Sequence, residues 1–289
     1  MAEEPAPANR DAASEDVVAE LVRKADRDRY LATLFAPDAH RPALLALYAF
    51  SAEISRVRDV VSEPLPGEMR LQFWRDLIEG DGLASSGHPV AQALGAAIAR
   101  YALPRKPLLD VIEARTFDLY DDAMPSVGDL EGYCGETSSA LIRLASIILA
   151  EGRDPGGADA VGHGGVAYAL TGILRALPWA TGRGQVFLPV DVMNRHGLSR
   201  GALLARQVDE PLRAVLAELR VMARRHLEAA RAALPGANPA VQIAMLPVAL
   251  VDPYLAALER AAADPFRTAA DISPLRRMWT LWRASRQAR

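Results

Sequence analysis

The stretch LYAFSAEISRVRD, residues 47–59, decides how the rest of this chain is interpreted. It continues an apolar pattern in which Leu44, Tyr48 and Ile54 recur at helical spacing, so a helix is predicted from about Arg41 to Val61. Polar residues interrupt that helix on the face expected to point inward. Buried polar groups need partners, so this stretch indicates either paired structural charges or a functional cavity.

A second stretch, LTGILRALPWATGRGQVFLP, lies about 120 residues further on and ends at Pro189. Here Arg175 stands in the middle of an apolar helix, and Pro178 is expected to disrupt or end that helix. A buried arginine is costly unless it is paired. We therefore predict that Arg175 faces a carboxylate or a cavity, with Asp59 and Glu136 as the expected partners.

Outward from these stretches, the 289-residue chain reads as nearly all helix, because 51% of it is apolar and no segment alternates with period two for long. Residues 1–14 are predicted to be a disordered acidic tail, with Ser14 as an N-cap, and residues 15–289 a single helical domain. The other helices are expected at about residues 88–102, 105–121, 127–151, 160–178, 208–233, 238–263 and 273–286, with a glycine-rich loop at 151–165.

Composition excludes several classes of protein. The formal charge of −3 argues against a dedicated nucleic-acid binder. The single cysteine, Cys134, excludes an intramolecular disulfide and indicates a reducing compartment. The N-terminus lacks the apolar segment of a secretory signal, so a cytoplasmic location is expected. The five histidines are scattered and show no metal-ligand spacing, so no metal site is predicted from them.

The two stretches, in this order, resemble the squalene/phytoene synthase superfamily. The resemblance extends from about residue 15 to residue 286 and includes the middle helix DLEGYC, residues 129–134. It implies an all-α, isoprenoid-synthase-like helical bundle with a central cavity. Active members join two prenyl diphosphates head to head, and carboxylates at i and i+4 on facing helices hold magnesium ions on the diphosphate.

This sequence departs from that pattern at the carboxylate positions. In the first motif they fall on Ser55 and Asp59, and Arg56 replaces a further aspartate. In the second motif they fall on Ala176 and Ala180. One carboxylate of four does not assemble a multi-metal site, so we expect no catalytic residue, no metal and no cofactor.

Other residues give the region a different character. Glu53, Asp59 and Glu136 form a less favoured one-metal alternative, whereas Asp118, Asp121 and Asp122 are expected at the surface. Arginines suit direct anion binding. The candidates for a cavity or anion site are therefore Tyr48, Glu53, Ser55, Arg56, Asp59, Glu136, Arg175 and Arg183.

The departures resemble a branch of the superfamily that contains a mitochondrial respiratory complex I assembly factor and bacterial relatives. That resemblance implies a non-catalytic protein that assists assembly of a membrane respiratory complex, with a complex subunit or assembly protein as partner, or that binds a prenyl-type isoprenoid lipid. The alternative is a divergent prenyl diphosphate transferase that makes a squalene- or phytoene-like product and needs Mg²⁺.

The C-terminal segment, residues 273–289, leaves two interpretations open. Trp279 and Trp282 lie among several arginines, a combination that suits peripheral contact with the inner face of a membrane. The favoured alternative is that both tryptophans pack on the helix bundle and the arginines are merely solvated.

Overall fold

The computed structural model of the protein describes residues 7–61, 63–80, 82–267 and 270–288. These residues form sixteen α-helices, which confirms the all-α prediction. The helices are α1 Pro7–Ala25, α2 Arg27–Thr33, α3 Arg41–Ser55, α4 Val57–Val60, α5 Pro64–Glu79, α6 Pro89–Tyr101, α7 Lys106–Thr116, α8 Val127–Cys134, α9 Ala140–Leu149, α10 Ala158–Gly182, α11 Val190–Arg195, α12 Arg200–Leu204, α13 Glu210–Ala233, α14 Pro239–Ala244, α15 Val251–Arg260 and α16 Pro274–Gln287.

The N-terminal boundary differs from the prediction. α1 begins at Pro7, ahead of the N-cap predicted at Ser14, so residues 7–14 of the predicted disordered tail are helical. Residues 1–6 lie outside the described part of the chain.

Three predicted helices are interrupted. The helix expected over 41–61 breaks at Arg56, between α3 and α4. A π-helical turn at Gly135–Ser139 separates α8 from α9. The helix expected over 238–263 contains a 3₁₀ segment at Leu246–Leu250, where Pro247 removes a backbone donor near the segment's start.

Helix α10 forms the centre of the bundle and lies along α13, while α3 packs against α1, α6 and α9. The glycine-rich loop is shorter than predicted, because α10 already begins at Ala158. Gly165 permits a close approach there, since a Cβ at this position would lie 2.4 Å from the Cα of Ser139. The glycines of this stretch therefore serve helix packing as well as the turn.

Two groups of buried apolar residues stabilise the fold. The larger one includes Phe50, Leu94, Leu144 and Leu170 and fills the bundle. The smaller one lies beneath the C-terminal helix and consists of Ala32, Leu246, Leu250, Tyr254, Ala257, Ile272 and Leu281. Within the described residues, no helix is both long and apolar enough to cross a membrane.

Candidate functional site

The first motif lies across the break between α3 and α4. The hydroxyl of Ser55 donates to the carbonyl oxygen of Ala52 at 3.1 Å and so turns back onto its own helix. Arg56 occupies the break with φ −92° and ψ 0°, and its side chain is exposed. Glu53 and Arg56 both line a groove between α3 and α5. Because the helix is interrupted, Ser55 and Asp59 do not face a common site as i and i+4 residues of one helix would.

Asp59, the one carboxylate that remains, pairs with Arg183 from the segment after α10. The two side chains are 35% and 46% exposed, so this ion pair, here termed the surface pair, is in contact with water. The predicted partnership of Asp59 with Arg175 is wrong. The guanidinium of Arg183 therefore lies against the only motif carboxylate, where a metal ion would have to bind.

The second motif lies on an uninterrupted helix, contrary to the prediction that Pro178 disrupts or ends it. α10 continues through Pro178 to Gly182. The carbonyl of Pro178 accepts a hydrogen bond from Arg206 at 2.7 Å. Ala176 is exposed and Ala180 is partly exposed. Neither supplies an oxygen ligand.

Arg175 contacts neither Asp59 nor Glu136, the partners predicted for it. Its guanidinium lies 3.6 Å above the centre of the Tyr254 ring, 3.5 Å from the carboxylate of Asp271 and 3.8 Å from that of Asp28. Its Nε also donates to the carbonyl of Ala270 at 3.2 Å. The prediction that Arg175 faces a carboxylate is confirmed, but the carboxylates come from α2 and from the segment before α16.

Asp28 is the centre of a group of charges that the sequence did not reveal. Arg277 of α16 contacts Asp28 at 2.7 Å and Asp271 at 2.8 Å. The hydroxyl of Tyr254 donates its single hydrogen to the Asp28 carboxylate, whose two oxygens lie 2.8 and 2.9 Å away. The side chains of Arg277 and Asp28 are only 5% and 9% exposed. We term Asp28, Arg175, Tyr254, Asp271 and Arg277 the Asp28 cluster.

Burial dominates the electrostatics of this cluster. It raises the pKa of the Asp28 carboxyl above its usual range, although Tyr254, Arg175 and Arg277 oppose that shift. Burial likewise raises the pKa of the Tyr254 phenol, so Tyr254 remains a hydrogen-bond donor at neutral pH. The two arginines and two aspartates balance in formal charge, and the cluster joins α2, α10, α15 and α16.

Tyr48 belongs to a neighbouring stack inside the bundle. The guanidinium of Arg29 lies 5.5 Å from the Tyr48 ring and 5.1 Å from the Tyr168 ring, and it pairs with Asp26 at 2.9 Å. Burial raises the pKa of Tyr48 to about 12. At this level of the bundle, side chains occupy the space between α2, α3 and α10. Arg29 was not among the predicted residues, since it follows an ordinary charged stretch in the sequence.

The remaining acids do not gather into a site. Glu136 is exposed on the π-helical turn. The surface location expected for Asp118 is wrong, because its carboxylate is buried, accepts from Tyr133 at 2.7 Å and pairs with Arg115 at 2.9 Å. Burial raises the pKa of Asp118. Asp121 is exposed and pairs with Arg58.

The magnesium ions implied by the family resemblance do not fit these residues. Mg²⁺ requires hard oxygen ligands in octahedral geometry, whereas the motif positions supply a hydroxyl turned onto its own helix, two alanines and a carboxylate already paired with arginine. In the described part of the chain, no group of three or more His, Cys, Asp or Glu residues is arranged to hold a metal ion. The site is therefore built from ion pairs within the chain.

Comparison with known proteins agrees with this geometry. The family model of squalene/phytoene synthase matches residues 22–283. NADH dehydrogenase (ubiquinone) complex I, assembly factor 6 from Rattus norvegicus is 36% identical over 248 residues, which cover 86% of this chain and 74% of the relative. The 15-cis-phytoene synthase of Synechocystis sp. is 26% identical over 227 residues, or 73% of this chain and 67% of that enzyme.

Solved structures show the same architecture. A crystal structure of a dehydrosqualene synthase in complex with ligand superposes with a TM-score of 0.81 at 20% identity, covering 98% of this chain and 99% of the other. At this identity the likeness establishes the fold alone. The family model spans most of the chain and the helices have the corresponding arrangement, so the chain belongs to the squalene/phytoene synthase family.

Proposed function

We propose that this protein is a non-catalytic member of its family that assists the assembly of respiratory complex I. The single observation that carries the proposal is the replacement of the metal site: the Asp59 carboxylate is bound by Arg183, and Ala176 and Ala180 offer no ligand. Without carboxylates to hold Mg²⁺, the negative charge that develops on a departing diphosphate is not stabilised. The relative named complex I assembly factor 6 supports the same conclusion.

The proposed role requires a rigid fold rather than a reactive centre. Ion pairs within the chain connect the helices that would carry the metal ligands in an enzyme of this family. The Asp28 cluster joins α10 to α2, α15 and α16, and the surface pair joins α4 to the end of α10. We expect the working surface to be the outside of the bundle, where it would contact a subunit or assembly protein of the complex at the inner face of the membrane.

Two other predictions, an active prenyl diphosphate transferase and a prenyl-type lipid ligand, have less support than the assembly role. Nothing in the described acids favours a magnesium-dependent prenyl diphosphate transferase, because they do not converge on one point. A prenyl-type lipid as ligand remains a prediction from the family resemblance.

Deletion of the gene from its own cell, followed by complementation, tests the proposal. We expect the deletion to lower NADH oxidation by isolated membranes and to reduce the band of intact complex I on native gels. Asp59→Asn should restore both as well as the unaltered gene, because no metal ligand is lost. Normal complex I in the deletion strain would refute the assembly role. Failure of a stably folded Asp59→Asn protein to restore the complex would instead indicate that this carboxylate acts chemically.

A further inference from the structure

Helix α16 departs from the usual pattern of a surface helix at several positions. A surface helix buries its apolar stripe and exposes its charges. In α16 the inward face carries Arg277 and Leu281, whereas the outward face carries Leu275, Trp279 and Trp282. Large apolar side chains thus lie in solvent on the side opposite the bundle.

The inward contacts fix which face points outward. Arg277 is held by Asp28 at 2.7 Å and by Asp271 at 2.8 Å, and Leu281 packs into the smaller apolar core beside Tyr254. Because a rotation of α16 about its axis would break the buried Arg277–Asp28 pair and expose Leu281, the exposed stripe cannot turn inward in the folded protein. The prediction that both tryptophans pack on the bundle is therefore wrong.

The outward stripe is continuous and strongly exposed. Leu275, Trp279 and Trp282 occupy positions i, i+4 and i+7 and are 84%, 62% and 45% exposed, and Met278 lies beside them. The rings of Trp279 and Trp282 contact each other with centroids 4.9 Å apart. An exposed apolar cluster of this kind is typical of an interaction surface.

The charges of α16 indicate what it binds. The helix contains no acidic residue, and Arg276, Arg283 and Arg286 are exposed. None of these three arginines makes an ion pair with a described residue. The whole chain carries a formal charge of −3, so this concentration of positive charge is local. Tryptophans beside arginines suit the interface of a bilayer, where the rings lie at the headgroup level and the guanidinium groups reach phosphates.

We propose that the outward face of α16 docks on an anionic lipid surface, with the helix axis parallel to the membrane. This inference deepens the membrane location in the proposed function and rests on it. Trp279 and Trp282 enter the interfacial region, and Arg276, Arg283 and Arg286 bind lipid phosphates. The 14 residues of α16 are too few to cross a bilayer, so attachment is peripheral and reversible.

Vesicle flotation with the full chain tests this surface. The vesicles contain either phosphatidylglycerol mixed with phosphatidylcholine or phosphatidylcholine alone. We expect the unaltered protein to float with the anionic vesicles at low salt and to dissociate as the salt concentration rises. The triple variant Arg276→Gln/Arg283→Gln/Arg286→Gln should lower the affinity about 100-fold, since each basic residue near an anionic surface contributes roughly five-fold in affinity.

Matched controls separate the face of α16 from general effects of charge and hydrophobicity. Trp279→Ser/Trp282→Ser should abolish flotation, whereas Trp179→Ser, which removes a 59% exposed tryptophan from α10, should leave it unchanged. A triple variant of exposed arginines elsewhere, Arg27→Gln/Arg70→Gln/Arg225→Gln, changes the net charge equally and should float as the unaltered protein does. All of these positions are exposed, and thermal unfolding followed by circular dichroism verifies that each variant is folded.

Tryptophan fluorescence provides a second readout. In a Trp179→Phe background, Trp74 is buried, so changes in acrylamide quenching report on Trp279 and Trp282. Protection from quenching on addition of anionic vesicles supports docking, and unchanged quenching overturns it. Flotation of the α16 tryptophan variant at the level of the unaltered protein would also overturn the proposal. So would a dimer in sedimentation that this variant dissociates without any vesicle binding, since the face would then bind a second copy of the chain.

Docking through α16 and the assembly role can be refuted independently of each other. If Trp279→Ser/Trp282→Ser restores complex I in the deletion strain and the unaltered protein does not float, docking through α16 is refuted and the assembly role stands. If the unaltered protein floats but the deletion leaves complex I intact, the docking surface stands and the assembly role is refuted.

Discussion

The Asp28 cluster and the surface pair both join arginine to aspartate, but the first is buried and the second is in contact with water. Arg277 and Asp28 are almost completely buried, whereas Arg183 and Asp59 are one third to one half exposed. A buried ion pair leaves a strongly destabilising charge behind when one partner is removed, whereas an exposed pair contributes little because water screens both charges. The helices are therefore connected chiefly around Asp28, and the motif position Asp59 is a minor contact.

Replacement of Arg277 should have the largest effect. Arg277→Met leaves the buried Asp28 without its main cation, and we expect the free energy of unfolding to fall by about 3–5 kcal/mol. Urea denaturation at neutral pH measures the loss. Adding Asp28→Asn should recover part of it, because the uncompensated carboxylate is then removed. A loss below about 1 kcal/mol would show that the cluster does not stabilise the fold.

Replacement of Arg175 should have an intermediate effect. Its side chain is 29% exposed, its ion pairs are longer than those of Arg277, and it lies against the Tyr254 ring. Arg175→Ala should lower the free energy of unfolding by about 1–2 kcal/mol, the range of a partly desolvated cation–π contact. Arg206→Ala removes an exposed arginine that also contacts α10, and it tests whether any arginine near α10 matters as much. An unchanged urea midpoint for Arg175→Ala would contradict its stabilising role.

The buried Asp118 should make stability depend on pH in an unusual direction. Its pKa in the folded protein is raised by burial, so the folded state binds a proton that the unfolded state releases at the same pH. Its contribution is fully present below the ordinary carboxyl pKa and is lost as pH rises through the raised value. Relative to Asp118→Asn, the unaltered protein should therefore lose stability as pH rises through that window. Urea denaturation of both proteins at several pH values measures this difference. The prediction is contradicted if the difference in free energy of unfolding does not change with pH or changes in the opposite direction.

Removal of the surface pair should have the smallest effect. Arg183→Gln should lower the free energy of unfolding by less than about 1 kcal/mol, and added salt should reduce even that difference. Thermal unfolding at low and high salt provides the measurement. A loss as large as that of Arg277→Met would remove the distinction between the two regions.

The sequence predicted the fold better than it predicted the site. Helical spacing identified most elements, because apolar periodicity is a local property. It also indicated that Arg175 needs carboxylates, but it did not identify Asp28 or Asp271, which lie 147 positions before and 96 positions after it in the chain. Asp28 lies in a charged run that resembles a solvated surface. Pro178 was misjudged because α10 continues through it, so the proline alone did not locate the end of the helix.

Incubation with farnesyl diphosphate and Mg²⁺, followed by measurement of released pyrophosphate, tests the central claim most directly. The account predicts release no faster than in the absence of the protein, because Asp59 is bound by Arg183 and the remaining motif positions offer no carboxylate. Release that requires both the protein and Mg²⁺, and that Asp59→Asn abolishes, would contradict it.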